Sequence, residues 1–199
     1  MSKSSKGSSF EREICTTLSE WWTSGDRNDV FWRSAGSGAR ATTRAKKGKK
    51  TRGQYGDIAA IDPVGMPLID LITLELKRGY TKASFHDALD RDRHVVQEWE
   101  GFVDKAYTSH QTAGSYAWGL IARRDRRTAW FWCPRHLLAA LRGVGAFVRK
   151  PRPWLECTLQ IRHTAGPQWH SIAGMPFAMF LEAVKPVHIK NLTRELNNA

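Results

Sequence analysis

Asp57, Glu75 and Lys77 are the residues of this chain whose types and spacing can do chemistry. Asp57 follows Gly56 at the head of one apolar run, GDIAAID, and Glu75-Leu76-Lys77 closes the next, LIDLITLELK. Two carboxylates that converge on an open strand end make an oxygen-rich pocket for a hard divalent cation such as Mg²⁺. A lysine two residues beyond the second carboxylate places a positive charge beside an attacking water or a phosphate. Together these groups are equipped for metal-dependent phosphodiester hydrolysis. Glu-x-Lys alone is also a common solvated strand face, so the motif gains its weight from Gly56-Asp57 before it and from the rest of the chain.

Several elements must position these groups. The turn-rich DPVGMP between the two runs predicts a hairpin or a tight β-connection. Side chains alternate along a strand, so Ile72, Leu74 and Leu76 share a face suited to a core, and Thr73, Glu75 and Lys77 share the face toward a cleft. Asp57 then lies at the mouth of the neighbouring strand, near Glu75. Upstream, Phe10, Ile14, Leu18 and Trp21 or Trp22 make one stripe at helical spacing, with Ser8 and Glu11 at capping-box spacing. Residues 1–9 read as a flexible basic arm, and Val30 to Trp32 begin a first strand.

Beyond Lys77 the pattern predicts a turn, a helix from about Ser84 to Ala106, and a strand in SYAWGLIARR. TAWFWC is its antiparallel partner, followed by a short helix from Pro134 to Leu141. Further strands are expected in WLECTLQIRH and WHSIAG, then a short helix from Phe177 to Val184. The tail from Lys185 is polar and expected to fray. This order predicts an α/β domain with a mixed central sheet flanked by helices. Residues 10–148 form its core, and the basic, proline-containing stretch from Arg149 opens a C-terminal extension, 149–199, packed on that core.

The chain has 199 residues and a net charge of +12, which suits one domain and points to a polyanionic partner. Nucleic acid is favoured over an acidic membrane surface, and no apolar run is long enough for a spanning helix. The N-terminal MSKSSKGSSF has no apolar signal core, so the expected location is cytoplasmic and nucleoid-associated. Three separated cysteines, Cys15, Cys133 and Cys157, argue against a disulfide framework. Cys133 and His136 lack a second ligand pair at zinc spacing and read as a buried thiol beside a helix start. The nine tryptophans include core residues and candidates for stacking on bases. Within a basic loop at 39–54, the stretch from Arg40 to Arg52 carries seven positive charges and no acid. Its Arg40, Arg44, Lys46, Lys47, Lys49, Lys50 and Arg52 cannot bury themselves and are expected to order on a nucleic-acid backbone.

Four motifs in order, KGSSFERE at Lys6–Glu13, WRSAGSG at Trp32–Gly38, GDIAAID at 56–62 and LELK at 74–77, carry a family likeness. Over about residues 6–80 the chain resembles the archaeal-type Holliday-junction resolvases of the PD-(D/E)xK nuclease superfamily. The resemblance implies a restriction-endonuclease-like fold, a homodimer, and Mg²⁺ as cofactor with Mn²⁺ able to substitute. It implies that Glu11, Asp57 and Glu75 hold or organise the metal, with the Leu76 carbonyl completing its shell. Lys77 would orient the hydrolytic water, and Arg12, Arg33 and Ser34 would meet DNA phosphate near the cut. The chain departs from these resolvases in its long basic insertion and its extra C-terminal third.

Three functions therefore stand side by side: cutting of branched DNA, sequence-specific cutting of duplex as in restriction or homing enzymes, and DNA binding without catalysis on the same scaffold. A two-fold dimer would supply the two active sites that symmetrical junction cutting needs. The aromatic hairpin around Trp118, Trp130, Phe131 and Trp132 is a candidate dimer face and equally a candidate core. Gln97 is either a helix-borne contributor to the site or part of a polar face. A phage or mobile-element origin is compatible with a small stand-alone nuclease.

Overall fold

A computed structural model describes residues 3–34, 55–80, 83–90, 97–163 and 166–198. The basic segment with Arg40, Arg44, Lys46, Lys47, Lys49, Lys50 and Arg52 lies outside the described residues, as do Arg91 and Arg93.

Helix α1 (Lys3–Thr23) begins earlier than the sequence predicts, so part of the segment expected as a loose arm is helical. Once a stripe anchors a helix, each further residue adds a hydrogen bond at little cost, even for serine and lysine. The stripe is Phe10, Ile14, Leu18 and Trp22, all buried. Ser19, also buried, ties α1 to the next element: its Oγ donates to the Cys15 carbonyl at 2.8 Å and accepts from the Phe31 amide at 2.9 Å. That amide belongs to β1 (Phe31–Arg33), which pairs antiparallel with β2 (Ile58–Ala60).

No simple hairpin follows β2. Pro63–Gly65 forms a 3-10 turn capped by Asp62, whose Oδ1 accepts from the Val64 amide at 2.9 Å. Helix α2 (Met66–Leu71) then takes up residues expected to begin a strand. Pro67 sits in its first turn, where a missing N–H costs nothing, and Leu68, Ile69 and Leu71 are buried. Strand β3 is accordingly confined to Ile72–Arg78.

Strands β3, β4 (Ala117–Arg123), β5 (Trp130–Pro134), β6 (Leu155–His163) and β7 (Gly166–Pro176) form one sheet in the order β3-β4-β5-β7-β6. The β3–β4 pair is parallel and the others antiparallel, giving the mixed sheet that the sequence predicts. Residues 149–199 pack on the core and also enter its sheet, because β7 lies between β5 and β6.

One face of the sheet presents Ile72, Leu74, Leu76, Ile121, Phe131 and Met175 to α1, α2, α4 (Arg135–Gly143), α5 (Phe177–Ala183) and α6 (Pro186–Asn198). Each such fully buried side chain contributes about 1.5–3 kcal/mol of hydrophobic stabilisation. Helix α6 corrects the expectation of a frayed tail: Ile189 and Leu192 are buried, and Thr193 Oγ1 donates to the Pro67 carbonyl at 3.1 Å. The polar composition of the segment conceals this one apolar edge.

The opposite face carries Trp118, Leu120, Trp132, Ile161 and Ile172 and is covered by α3 (Glu98–Ala113) and a 3-10 turn at Phe85–Ala88. The single helix expected from Ser84 is thus two elements. Gln97 stands at the start of α3, its amide donating to Glu100 Oε2 at 3.1 Å, and Gly114 ends the helix at φ +68°. Helix α3 packs on both edge strands, β3 and β6, so the sheet curls around it. The β6–β7 hairpin is fastened to α3 by a polar chain. Asp104 Oδ1 lies 2.6 Å from His163 Nδ1, and His163 Nε2 lies 2.7 Å from His170 Nε2. Tyr107 covers both imidazoles.

Trp118, Phe131 and Trp132 are buried within the chain, which leaves only Trp130 of that hairpin half-buried. The hairpin belongs mainly to the core, with Trp130 left at the surface. Cys133 is buried two residues before α4, and burial raises its thiol pKa.

Candidate active site

The polar members of β3 sit where the parallel β3–α3–β4 unit forces a helix across them. Thr73 and Glu75 are as buried as the apolar residues on the other side of the strand, with Glu75 at 0% exposure. Asp57 reaches the same place from β2. Its backbone amide donates to the Leu74 carbonyl at 2.8 Å, and its Oδ2 accepts from the Leu76 amide at 2.7 Å. This approach depends on Gly56, which has φ +78° and would put a Cβ 2.5 Å from the Leu74 carbonyl oxygen. Asp57 and Glu75 are therefore fixed beside each other by backbone contacts as well as by packing.

Two ammonium groups meet this pair. Lys77 Nζ lies 2.5 Å from Glu75 Oε1, and Lys105 Nζ, from α3, contacts the same oxygen. Lys105 Nζ is also 3.7 Å from Asp57 Oδ1. Burial raises the Glu75 pKa above the ordinary glutamate range, the neighbouring Asp57 raises it further, and the two lysines oppose both. Burial works against the charge of Lys105, yet Asp57 and Glu75 raise its pKa overall. Glu75 Oε2 is buried with no hydrogen-bond partner.

Asp57, Lys77 and Lys105 line a cleft of about 490 Å³ together with Glu11, Arg33 and Tyr80, and Glu75 is buried behind the two lysines. Glu11 is not brought onto Asp57 and Glu75. It pairs with Arg33 Nε, while Arg33 Nη1 donates to Ser8 Oγ at 3.0 Å. Ser34, expected at a DNA phosphate, is buried, and its hydroxyl donates to the Gly56 carbonyl at 2.6 Å. Its amide donates to the Asp57 carbonyl at 3.0 Å, so Ser34 braces the turn that carries Asp57. Arg12 is exposed on α1.

Lys105 is the residue that sequence reasoning misses. It follows Phe102 by three positions and so shares the helix side that covers β3, a spacing available in the sequence. The ring of Phe102 itself lies 5.6 Å under Lys77 Nζ.

A family model described as "Phage putative PDDEXK endonuclease" matches residues 2–186. The chain belongs to this family. Comparison with curated proteins and with solved structures gives no match. The mixed sheet flanked by helices is consistent with the restriction-endonuclease-like fold of such a nuclease. Among the described residues of this PDDEXK-family chain, no three His, Cys, Asp or Glu side chains cluster to hold a metal. The donors that do converge, the carboxylates of Asp57 and Glu75, are hard oxygen ligands of the type Mg²⁺ takes while keeping waters. The unpartnered Oε2 of Glu75 and the ammonium drawn between both carboxylates show that this point attracts positive charge. The donor set fits a hard divalent cation with two protein carboxylates. Among the described residues no helix is long and apolar enough to cross a membrane.

Proposed function

We propose that the chain is a Mg²⁺-dependent DNA endonuclease that cuts branched DNA as a homodimer. Asp57 and Lys77 on one cleft, with buried Glu75 ion-paired to Lys77 and Lys105 of its lining, in a chain of a PDDEXK endonuclease family, carry the reading. The motif resemblance to junction resolvases supports the branched substrate, and the +12 charge supports a nucleic-acid partner.

Asp57 and Glu75 would hold the cation, with the Leu76 carbonyl as a further oxygen donor. When bound, Mg²⁺ supplies positive charge to the phosphate oxygens and lowers the pKa of a water. Lys77 orients the attacking water and offsets charge that builds on the phosphate. Lys105 adds a second ammonium from α3 and restrains the repulsion between the two carboxylates. Arg33, positioned by Glu11 and Ser8, presents its guanidinium to a neighbouring phosphate. Arg12 and the basic residues of 40–52 supply further positive charge for phosphates, and Ser34 serves the site by holding the Asp57 turn.

Cleavage of a four-way junction and of a matched linear duplex, in Mg²⁺ and in EDTA, tests the proposal. Paired Mg²⁺-dependent nicks confined to the junction are expected. Cutting of the linear duplex at one site would replace it with a sequence-specific endonuclease. Tight binding without cutting of either would leave a DNA-binding module.

A further inference from the structure

A second cavity, of about 360 Å³, adjoins the catalytic cleft and shares Lys77 and Tyr80 with it as lining. Its size falls within the range of small-molecule sites, roughly 300–1,000 Å³. The lining is aromatic. Phe85 and Trp132 stack with ring centroids 4.8 Å apart, and Trp99 meets them edge-on at 5.2 and 5.3 Å. Trp130 stacks on Trp132 at 5.5 Å, and Tyr80 meets Phe102 edge-on at 4.7 Å. Phe102, Trp99 and Trp132 are buried, as core packing requires, whereas Tyr80 and Trp130 are half-buried at the cavity wall.

Charge distinguishes this cavity from an ordinary packing fault. Arg124 and Arg127, both exposed, line it from the β4–β5 turn, and Lys77 stands where it meets the cleft. A flat ligand with a π-face suits the aromatic walls, and a phosphate on either side of that ligand suits the cationic mouth and the cleft. We propose that this cavity accepts one unstacked nucleobase of the DNA strand whose phosphate lies in the catalytic cleft. Stacking on aromatic side chains is how proteins hold a base outside a duplex without reading its sequence. The inference rests on the nuclease reading of the neighbouring cleft and narrows its substrate to DNA with an unpaired or extruded base beside the cut.

Fluorescence anisotropy in EDTA with two labelled duplexes of one sequence tests it, one fully paired and one with a single extrahelical adenine. The native chain is expected to bind the bulged duplex about tenfold more tightly. Trp130→Ala should reduce that ratio to below about twofold, leave affinity for paired duplex within about twofold, and show a normal thermal transition, whereas Trp130→Phe should retain the preference. If Trp130→Ala does not fold, Trp130→Leu, which keeps bulk and removes the π-face, replaces it. Equal native affinity for the two duplexes, or a preference that survives removal of the aromatic wall, overturns the proposal. Mg²⁺-dependent cleavage is scored separately. Cleavage without any bulge preference removes the base pocket and spares the nuclease. A bulge preference that depends on Trp130, without cleavage, keeps the pocket and removes the nuclease.

Discussion

Asp104 and Lys105 are consecutive residues of α3, yet they enter opposite kinds of polar cluster. Asp104 begins a closed chain: His163 takes its carboxylate, His170 takes the other side of His163, and Tyr107 covers the rings. None of these side chains has a buried polar atom left without a partner. Lys105 enters an open cluster. It shares Glu75 Oε1 with Lys77, stands 3.7 Å from Asp57 Oδ1, and leaves Glu75 Oε2 buried and unpartnered. Buried polar groups normally find partners, so a closed cluster reads as a fastening and an open one as a place for a ligand.

Paired substitutions can break that comparison. Glu75→Gln should lower Mg²⁺-dependent cleavage by about 100-fold or more, while Asp104→Asn should leave the rate within about twofold. Equal losses in single-turnover assays of the two variants would erase the distinction. A smaller effect is expected from Lys105→Met. Removing one partner of a buried carboxylate should cost about 1–2 kcal/mol in EDTA, a figure discounted because Lys105 is 44% exposed. Thermal unfolding should show Mg²⁺ raising the Tm of the variant more than that of the native chain, since no ammonium then competes at the carboxylates. An equal Mg²⁺ shift in both proteins would mean that Lys105 and the cation do not share a position.

The smallest effect belongs to the closed cluster. Burial, helped by the neighbouring His163, lowers the His170 pKa from 6.5 to about 4. Between those values the unfolded chain takes a proton that the folded chain refuses, so stability falls as pH drops through the window. His170→Asn should remove about 1 kcal/mol of that acid-induced loss, read as a flatter dependence of urea midpoints on pH between 6.5 and 4. An unchanged slope would place the acid sensitivity elsewhere.

What the sequence makes legible is periodicity. The α1 stripe, the alternation along β3, the β4–β5 hairpin and the final two strands all follow from repeats of about 3.6 or 2. Glu75 and Lys77 are legible for the same reason, because strand alternation puts them on one face, and Asp57 is legible from the Gly56-Asp57 pair that opens its run. Helix α2 is not, since Pro67-Leu68-Ile69-Asp70-Leu71 is too short for its period to separate helix from strand. Lys105 escapes because its partner lies 30 residues away across a β–α–β crossover. Ser34 looks like a turn residue until Gly56 and Asp57 arrive beside it. Contacts between distant segments depend on strand order, and the position of β7 between β5 and β6 has no local signature.

That position has a consequence for synthesis. The last strand to leave the ribosome is an interior one, and until Pro176 is made β5 has a free edge and β6 has no neighbour. Asp57, Glu75 and Lys77 emerge early, but the helix bearing Lys105 cannot be clasped from both sides before the final third of the chain arrives. Vectorial synthesis thus separates the appearance of the carboxylates from the closing of the sheet around them.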